Sequence, residues 1–187
     1  PRLVAKVNDE PHWNPVLFRA PNGKVVLHFN VGSNSERCNT WTTFSRDDGQ
    51  SWSCPAPLEN GKKINLAGSA KNKSIILKDG TWLAPNVVQT TNKWEAFVYI
   101  SKDEGKSWGQ SEIVPIDRSK FDVNGINQLI MWESDANHVH MLLSAALGKI
   151  GKSESLDGGQ TWLAVKPDSL VSKNDRIDAA KLYDGTL

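Results

Sequence analysis

Three stretches of the chain satisfy one pattern, S-x-D-x-G-x-[ST]-W: Ser45-Arg-Asp-Asp-Gly-Gln-Ser-Trp52, Ser101-Lys-Asp-Glu-Gly-Lys-Ser-Trp108 and Ser155-Leu-Asp-Gly-Gly-Gln-Thr-Trp162. Their starts are 56 and 54 residues apart. One match to so short a pattern is weak, whereas three at near-constant spacing mark a repeat architecture. The pattern has a mechanical reading. Asp accepts hydrogen bonds from backbone N–H groups two residues on and fixes a tight turn. Gly supplies a positive φ at low cost. Ser or Thr and the closing Trp then begin the returning strand, where a large aromatic covers the hairpin. Asp47, Asp103 and Asp157 are therefore expected to be structural rather than catalytic, because each acceptor has local backbone donors.

A second repeat lies between these boxes. Asn14-Pro-Val-Leu-Phe18 runs through Asn22-Gly23 into Lys24-Val-Val-Leu-His-Phe29, and Lys73-Ser-Ile-Ile-Leu77 through Asp79-Gly80 into Thr81-Trp-Leu-Ala84. Gln128-Leu-Ile-Met-Trp132 runs through Ser134-Asp-Ala-Asn137 into His138-Val-His-Met-Leu-Leu143, and Asp178-Ala-Ala-Lys-Leu182 reaches Asp184-Gly185. Short apolar runs joined by such turn residues are hairpins. With the outer hairpin closed by the Asp-containing box, each unit holds four short antiparallel strands, the size of a β-propeller blade. The expected fold is all-β, with blades at approximately 12–60, 70–116 and 126–167 and the start of a fourth from 176. Three and a half blades do not close a ring, since propellers have about four to eight. The remainder of a longer chain or a second copy is expected to complete it, with Leu3 to Val7 available as a closing strand.

Composition narrows the function classes. Hydrophobic residues make up 39% and charged residues 23%, so a packed core is feasible and wholesale disorder is not expected. Twenty-two basic against 21 acidic residues leave a net charge of +1, which removes the electrostatic argument for nucleic acid. Apolar runs are a few residues long, too short for a membrane-spanning helix. The chain begins at Pro1 with no signal peptide in view. Cys38 and Cys54 flank the first outer hairpin, and the sequence leaves open whether they are bonded. His138 and His140 alternate along a strand. Two histidines without further ligands are not a metal site, and neither a metal nor another cofactor is expected.

The boxes resemble the Asp boxes, or bacterial neuraminidase repeats, of the sialidases. The resemblance covers essentially the whole chain, and the pattern is similar to the predicted-neuraminidase branch at Trp13-Asn-Pro-Val-Leu17, Asn72-Lys73, Gln128 and Ile177-Asp178. It implies a six-bladed propeller and, for many members, exo-α-sialidase activity, in a secreted or periplasmic setting. Asp boxes also occur in proteins that do not cleave sialic acid, so a non-catalytic module binding glycan or protein is the alternative. Well-studied members carry an Arg-Ile-Pro motif on the first blade, and its Arg binds the sialic acid carboxylate. The matching place here is Trp13-Asn14-Pro15, where the proline fits and the arginine is absent. The nucleophilic Tyr and its Glu partner of those enzymes belong to later blades.

The meander decides which residues share a face. Inner-hairpin turns and Asp boxes fall at one end of each blade, and the variable loops and blade-to-blade connections at the other. A ligand is expected at the loop end, around the axis. Asn14, Lys73, Gln128 and Asp178 open the successive first strands there, 59, 55 and 50 residues apart. The resemblance places the general acid on the first blade's upper loop, where Glu36 is the carboxylate; Glu95 and Asp178 are further catalytic candidates, and Glu133 approaches the wrong end of its strand. Lys73 or Lys71 would hold a substrate carboxylate in place of the missing Arg, with His12, Asn14, Arg37, Gln128 and Arg176 as further binding candidates. Trp13, Trp41 and Trp94 lie near the upper loops, available for stacking on sugar rings or for the core.

Overall fold

The computed structural model describes residues 2–34, 37–58, 72–90, 93–119, 122–146, 149–171 and 177–180. Among them there is no helix, and every regular element is a strand. The first sheet has the order β1 (His12–Arg19), β2 (Val25–Gly32), β3 (Cys38–Ser45), β4 (Ala56–Pro57). The second follows as β5 (Ile75–Ile76), β6 (Trp82–Thr90), β7 (Lys93–Ser101), β8 (Gly109–Gln110), and the third as β9 (Asp122–Glu133), β10 (Val139–Ala146), β11 (Lys149–Ser155), β12 (Lys166–Val171). All pairings are antiparallel between neighbours in sequence, so each sheet is a four-stranded meander, a propeller blade.

Alternation along the strands explains the stacking. In β6, Leu83 and Val87 point to one face while Trp82, Ala84 and Val88 point to the other, and all five are buried. The middle sheet is sandwiched, so both of its faces are apolar. One face meets Met131, Val139, Met141, Leu143 and Trp162 of the third sheet. The opposite face, with Phe97 and Tyr99, meets Leu58, while Trp82 packs on Val26 and Ala20 of the first. His28, on β2, faces the second sheet from within this interface; it is fully buried against the edges of Phe18 and Trp108.

The inner-hairpin turns share one construction. Gly23 and Gly80 sit at φ +84° and +88°, and Asn137 holds the equivalent place in the third sheet at φ +63°. Asn is among the few residues that enter this left-handed region readily. Leu3 to Val7, offered by the sequence as a closing strand, join no ladder among the described residues. The segment is tied at its two ends: the Arg2 guanidinium donates to the Gly49 and Gln50 carbonyls, and the Val7 N–H donates to His12 Nε2 at 3.0 Å.

The three boxes are near-copies. Ser45, Ser101 and Ser155 donate to Asp47, Asp103 and Asp157 at 2.7, 2.8 and 2.7 Å. The same hydroxyls accept the N–H of Gly49, Gly105 and Gly159 at 2.7, 2.9 and 2.8 Å. The carboxylates accept from Ser51, Ser107 and Thr161, through backbone N–H at 2.8, 2.8 and 3.0 Å and through the hydroxyl as well. These backbone donors lie four residues on rather than two. The reason is that two successive residues, Asp48-Gly49, Glu104-Gly105 and Gly158-Gly159, are at positive φ and fold the chain back over the carboxylate. Trp52 and Trp108 close their turns by donating the indole N–H to the Gly49 and Gly105 carbonyls rather than by opening the fourth strand, which begins beyond them.

The hydroxyl of Ser51, then its N–H and Ser45, hold Asp47 down at a pKa of about 2, and Ser107 does the same for Asp103. A depressed carboxylate pKa contributes stability above the ordinary value that is lost only as pH falls through the folded one. The boxes are thus expected to stay intact at pH 4 and to loosen towards pH 2. Asp103→Ala strands the Ser107 N–H and hydroxyl together, so it is expected to lower the thermal midpoint by a few degrees, while Asp103→Asn, which keeps one acceptor, loses less. Calorimetry of the two variants checks this ordering.

Candidate functional site

The two ends of the blades have different chemistry. At the box end, hairpin turns and boxes cross-link: Arg19 pairs with Asp48 at 2.8 Å, and Asn22 donates to Glu104 of the next blade at 2.8 Å. Glu133 belongs to this end. It accepts the N–H of Lys78 and of Asn137 at 2.8 and 3.1 Å, so it locks two turns together.

At the other end, two of the blades' first strands carry the same irregularity. The β1–β2 register slips between Trp13 and Val16, and the β9–β10 register slips between Leu142 and Ser144. The residues in these bulges are Asn14 and Gln128, at φ +49° and +52°. A positive φ is costly for a residue that carries a Cβ, such as Gln, and bulges of this kind re-aim a side chain beside a site. Periodic spacing in the sequence located both residues; the backbone conformation they share is visible only in the structure.

Lys73 opens the second blade's inner strand, and its ammonium lies 3.0 Å from Asp178 Oδ2. Next to it, Asn72 Nδ2 donates to the Ile177 carbonyl at 3.0 Å. Two of the four axial residues are therefore brought into contact across 105 residues of chain. Both side chains are more than half exposed, so the pair adds little to stability. Between β5, β9 and the 177–180 segment lies a cavity of about 370 Å³, walled by Lys73, Ile75, Ile130, Trp132 and Asp178. A volume of that order admits one sugar ring.

The remaining candidates are spread around this end. Glu95 on β7 pairs with Arg118 at 3.6 Å, both partly buried. Arg118, in the loop to the third blade, was not singled out by the sequence, since a lone Arg in a loop carries no pattern. His12 donates from Nδ1 to the Glu10 carbonyl at 2.7 Å, accepts the Val7 N–H at Nε2, and stacks on Phe29 at 5.8 Å; its ring holds the N-terminal segment. Arg37 is exposed, with its N–H turned back onto Asn34. Trp13 donates its indole N–H to the Gly32 carbonyl, Trp94 packs on the core between the second and third blades, and Trp41 is half-buried. Cys38 and Cys54 are not joined in a disulfide. Glu36, Lys71 and Arg176 lie outside the described residues.

The BNR repeat-like domain model matches residues 1–187. Among solved structures, a protein of unknown function from Dyadobacter fermentans superimposes with a TM-score of 0.80 at 20% identity, over 98% of this chain and 57% of its own. The Hadza microbial sialidase Hz136 matches with a TM-score of 0.67 at 16% identity, over 87% of this chain and 34% of its own. The NanB sialidase from Streptococcus pneumoniae, as a K499G mutant, matches at 0.60 and 21% identity, over 76% of this chain and 21% of its own. The chain thus spans between a fifth and somewhat over half of these proteins. Likeness at this identity establishes the shared fold.

Proposed function

The chain belongs to the BNR repeat-like domain family, and from that premise we propose that it is part of a sialidase-like glycoside hydrolase acting on a terminal acidic sugar of a glycan. The observation that carries this reading is the Lys73–Asp178 pair on the wall of the axial cavity. Glycoside cleavage needs a carboxyl acid and a second group acting as nucleophile or base. Asp178 supplies a carboxylate at the cavity, and Glu95 is the second candidate from the same end of the blades. Lys73 supplies the cation that an acidic sugar requires, in place of the Arg absent from Trp13-Asn14-Pro15. A substrate carboxylate would compete with Asp178 for Lys73 and so release the Asp178 carboxyl group for proton transfer. Asn14 and Gln128, re-aimed by their bulges, are suited to hydrogen-bonding sugar hydroxyls.

The non-catalytic alternative is favoured by one specific observation: Lys73 is a point charge already neutralised by its own partner, where a carboxylate is best held by a two-pronged guanidinium. The full-length protein should be assayed with fluorogenic sialosides and uronosides. Hydrolysis is expected for a terminal acidic sugar. Asp178→Asn is expected to lower kcat by about 100-fold or more, as for loss of a general acid. Lys73→Met is expected to raise KM for the acidic substrate and to leave a neutral analogue unaffected. Retained glycan binding with no turnover on any acidic sugar would select the binding module instead.

A further inference from the structure

The face of the third blade that turns away from the second carries a second cluster, which shares Trp132 with the wall of the axial cavity. Val139, Met141 and Leu143 point into the core, so His140 and its neighbours two residues along point the other way. Across the ladder, His140 is registered with Trp132 on β9 and with Glu154 on β11. His138, two residues before His140, shares its face. The row lies at the box end of the blade, beside the 134–138 turn. We propose that His138, His140 and Glu154 form a binding site for one divalent transition-metal ion of the zinc class.

The geometry fits the ion. His138 Nε2 lies 3.3 Å from one Glu154 oxygen and His140 Nδ1 lies 3.5 Å from the other. All the candidate ligand atoms fall within 4.8 Å of one another, the one such group of three among the described residues. A tetrahedral ion with bonds of about 2.0–2.1 Å needs ligand atoms about 3.3 Å apart, so the two His–Glu separations already match and the His–His separation, within 4.8 Å, has to close towards that value. Two imidazoles and one carboxylate suit zinc, and a nitrogen-rich set of this kind is poor for magnesium or calcium, which take oxygen.

The ring of His140 is also held as a ligand ring is held. Trp132 stacks on it with centroids 5.1 Å apart and planes at 14°, and His138 lies against it at 4.2 Å. Its Nε2 is 2.8 Å from Ser134 Oγ. With Nε2–H donating to that hydroxyl, Nδ1 presents a lone pair towards Glu154, and Nδ1 is buried without a hydrogen-bond partner among the described residues. A hydrogen bond on the far nitrogen of a metal-binding His is the usual device for fixing its orientation. In that tautomer the Nδ1 lone pair and the Glu154 carboxylate offer their donor atoms to one cation. Lys152 Nζ, 3.0 Å from Glu154 Oε1, now supplies positive charge from outside the pair and is a competitor for it.

The test is titration of the chelator-stripped protein with zinc chloride by calorimetry, and with cobalt chloride read by visible absorption. One equivalent is expected to bind, with the intense d–d bands of tetrahedral cobalt. Glu154→Gln and His138→Gln, both at partly exposed positions, are expected to weaken binding about 100-fold, and Lys152→Met to tighten it several-fold. His12→Gln, at the opposite end of the first blade, is expected to leave it unchanged. No saturable uptake would overturn the site and leave a hydrogen-bonded cluster. So would uptake of equal affinity in the Glu154→Gln and His138→Gln variants, or loss of uptake on His12→Gln alone.

Discussion

Gly32→Ala is expected to cost about 4 kcal/mol or more, a large share of the stability of an ordinary domain. The cause is a collision, not conformational preference alone. A Cβ at Gly32 would lie 2.1 Å from the Arg37 carbonyl oxygen and 2.6 Å from Cys38 Cα, which are backbone atoms that cannot rotate aside. Gly32 pairs with Cys38 where β2 leaves for β3, its N–H donates to the Pro11 carbonyl at 3.1 Å, and its own carbonyl accepts the Trp13 indole N–H. Pushing β3 away therefore also disturbs the upper end of β1, next to Asn14. Gly23→Ala is the control. Its φ of +84° is also awkward for alanine, but nothing lies within 4 Å of its Cβ position, so it should cost about 1 kcal/mol. Urea unfolding of both variants measures the difference. Equal midpoints would show that the β2–β3 junction widens freely.

Acid is expected to weaken the contact between the first and second blades well before it reaches the Asp boxes. His28 is wholly buried, and burial pushes its pKa down from 6.5 to about 4. Its Nδ1 is 3.4 Å from Ser74 Oγ, and its Nε2 has no hydrogen-bond partner among the described residues. A neutral imidazole fits there and a charged one does not. Because the unfolded chain takes up the proton first, stability is full above pH 6.5 and declines as pH falls towards 4. The loss is about 3 kcal/mol across that window, at 1.36 kcal/mol per pH unit. His140 is also held below its ordinary value, first by partial burial, and adds in the same direction. His28→Leu removes the larger contribution and the unpaired nitrogen with it. Its stability at pH 7 should match or exceed the parent's, and its decline between pH 6.5 and 4 should be much shallower. Parallel decline in parent and variant would place the acid sensitivity elsewhere. The boxes titrate lower, towards pH 2, so the two windows separate.

The all-β meander was legible in the residues because its determinants are local. Each box is closed by hydrogen bonds spanning two to four residues, and each inner hairpin by a residue that tolerates positive φ. Alternating apolar residues then dictate which strand faces are covered. The candidate site was legible only in part. Periodicity singled out Asn14, Lys73, Gln128 and Asp178 as candidates, since equivalent positions in a repeat are expected to face one axis. It could not pair Lys73 with Asp178, nor Glu95 with Arg118, because nothing local to either residue encodes the partner.

By itself, the sequence determined the repeat, the strand order and the end of the blades at which each loop emerges. These follow from chain connectivity and from turns whose partners are a few residues away. Tertiary structure alone decided what depends on neighbouring strands and blades. It bent Asn14 and Gln128 into left-handed bulges, buried His28 between two sheets, and set Glu154 opposite His140 across a ladder. Register and packing join residues far apart in the chain, and no local spacing rule reaches that far.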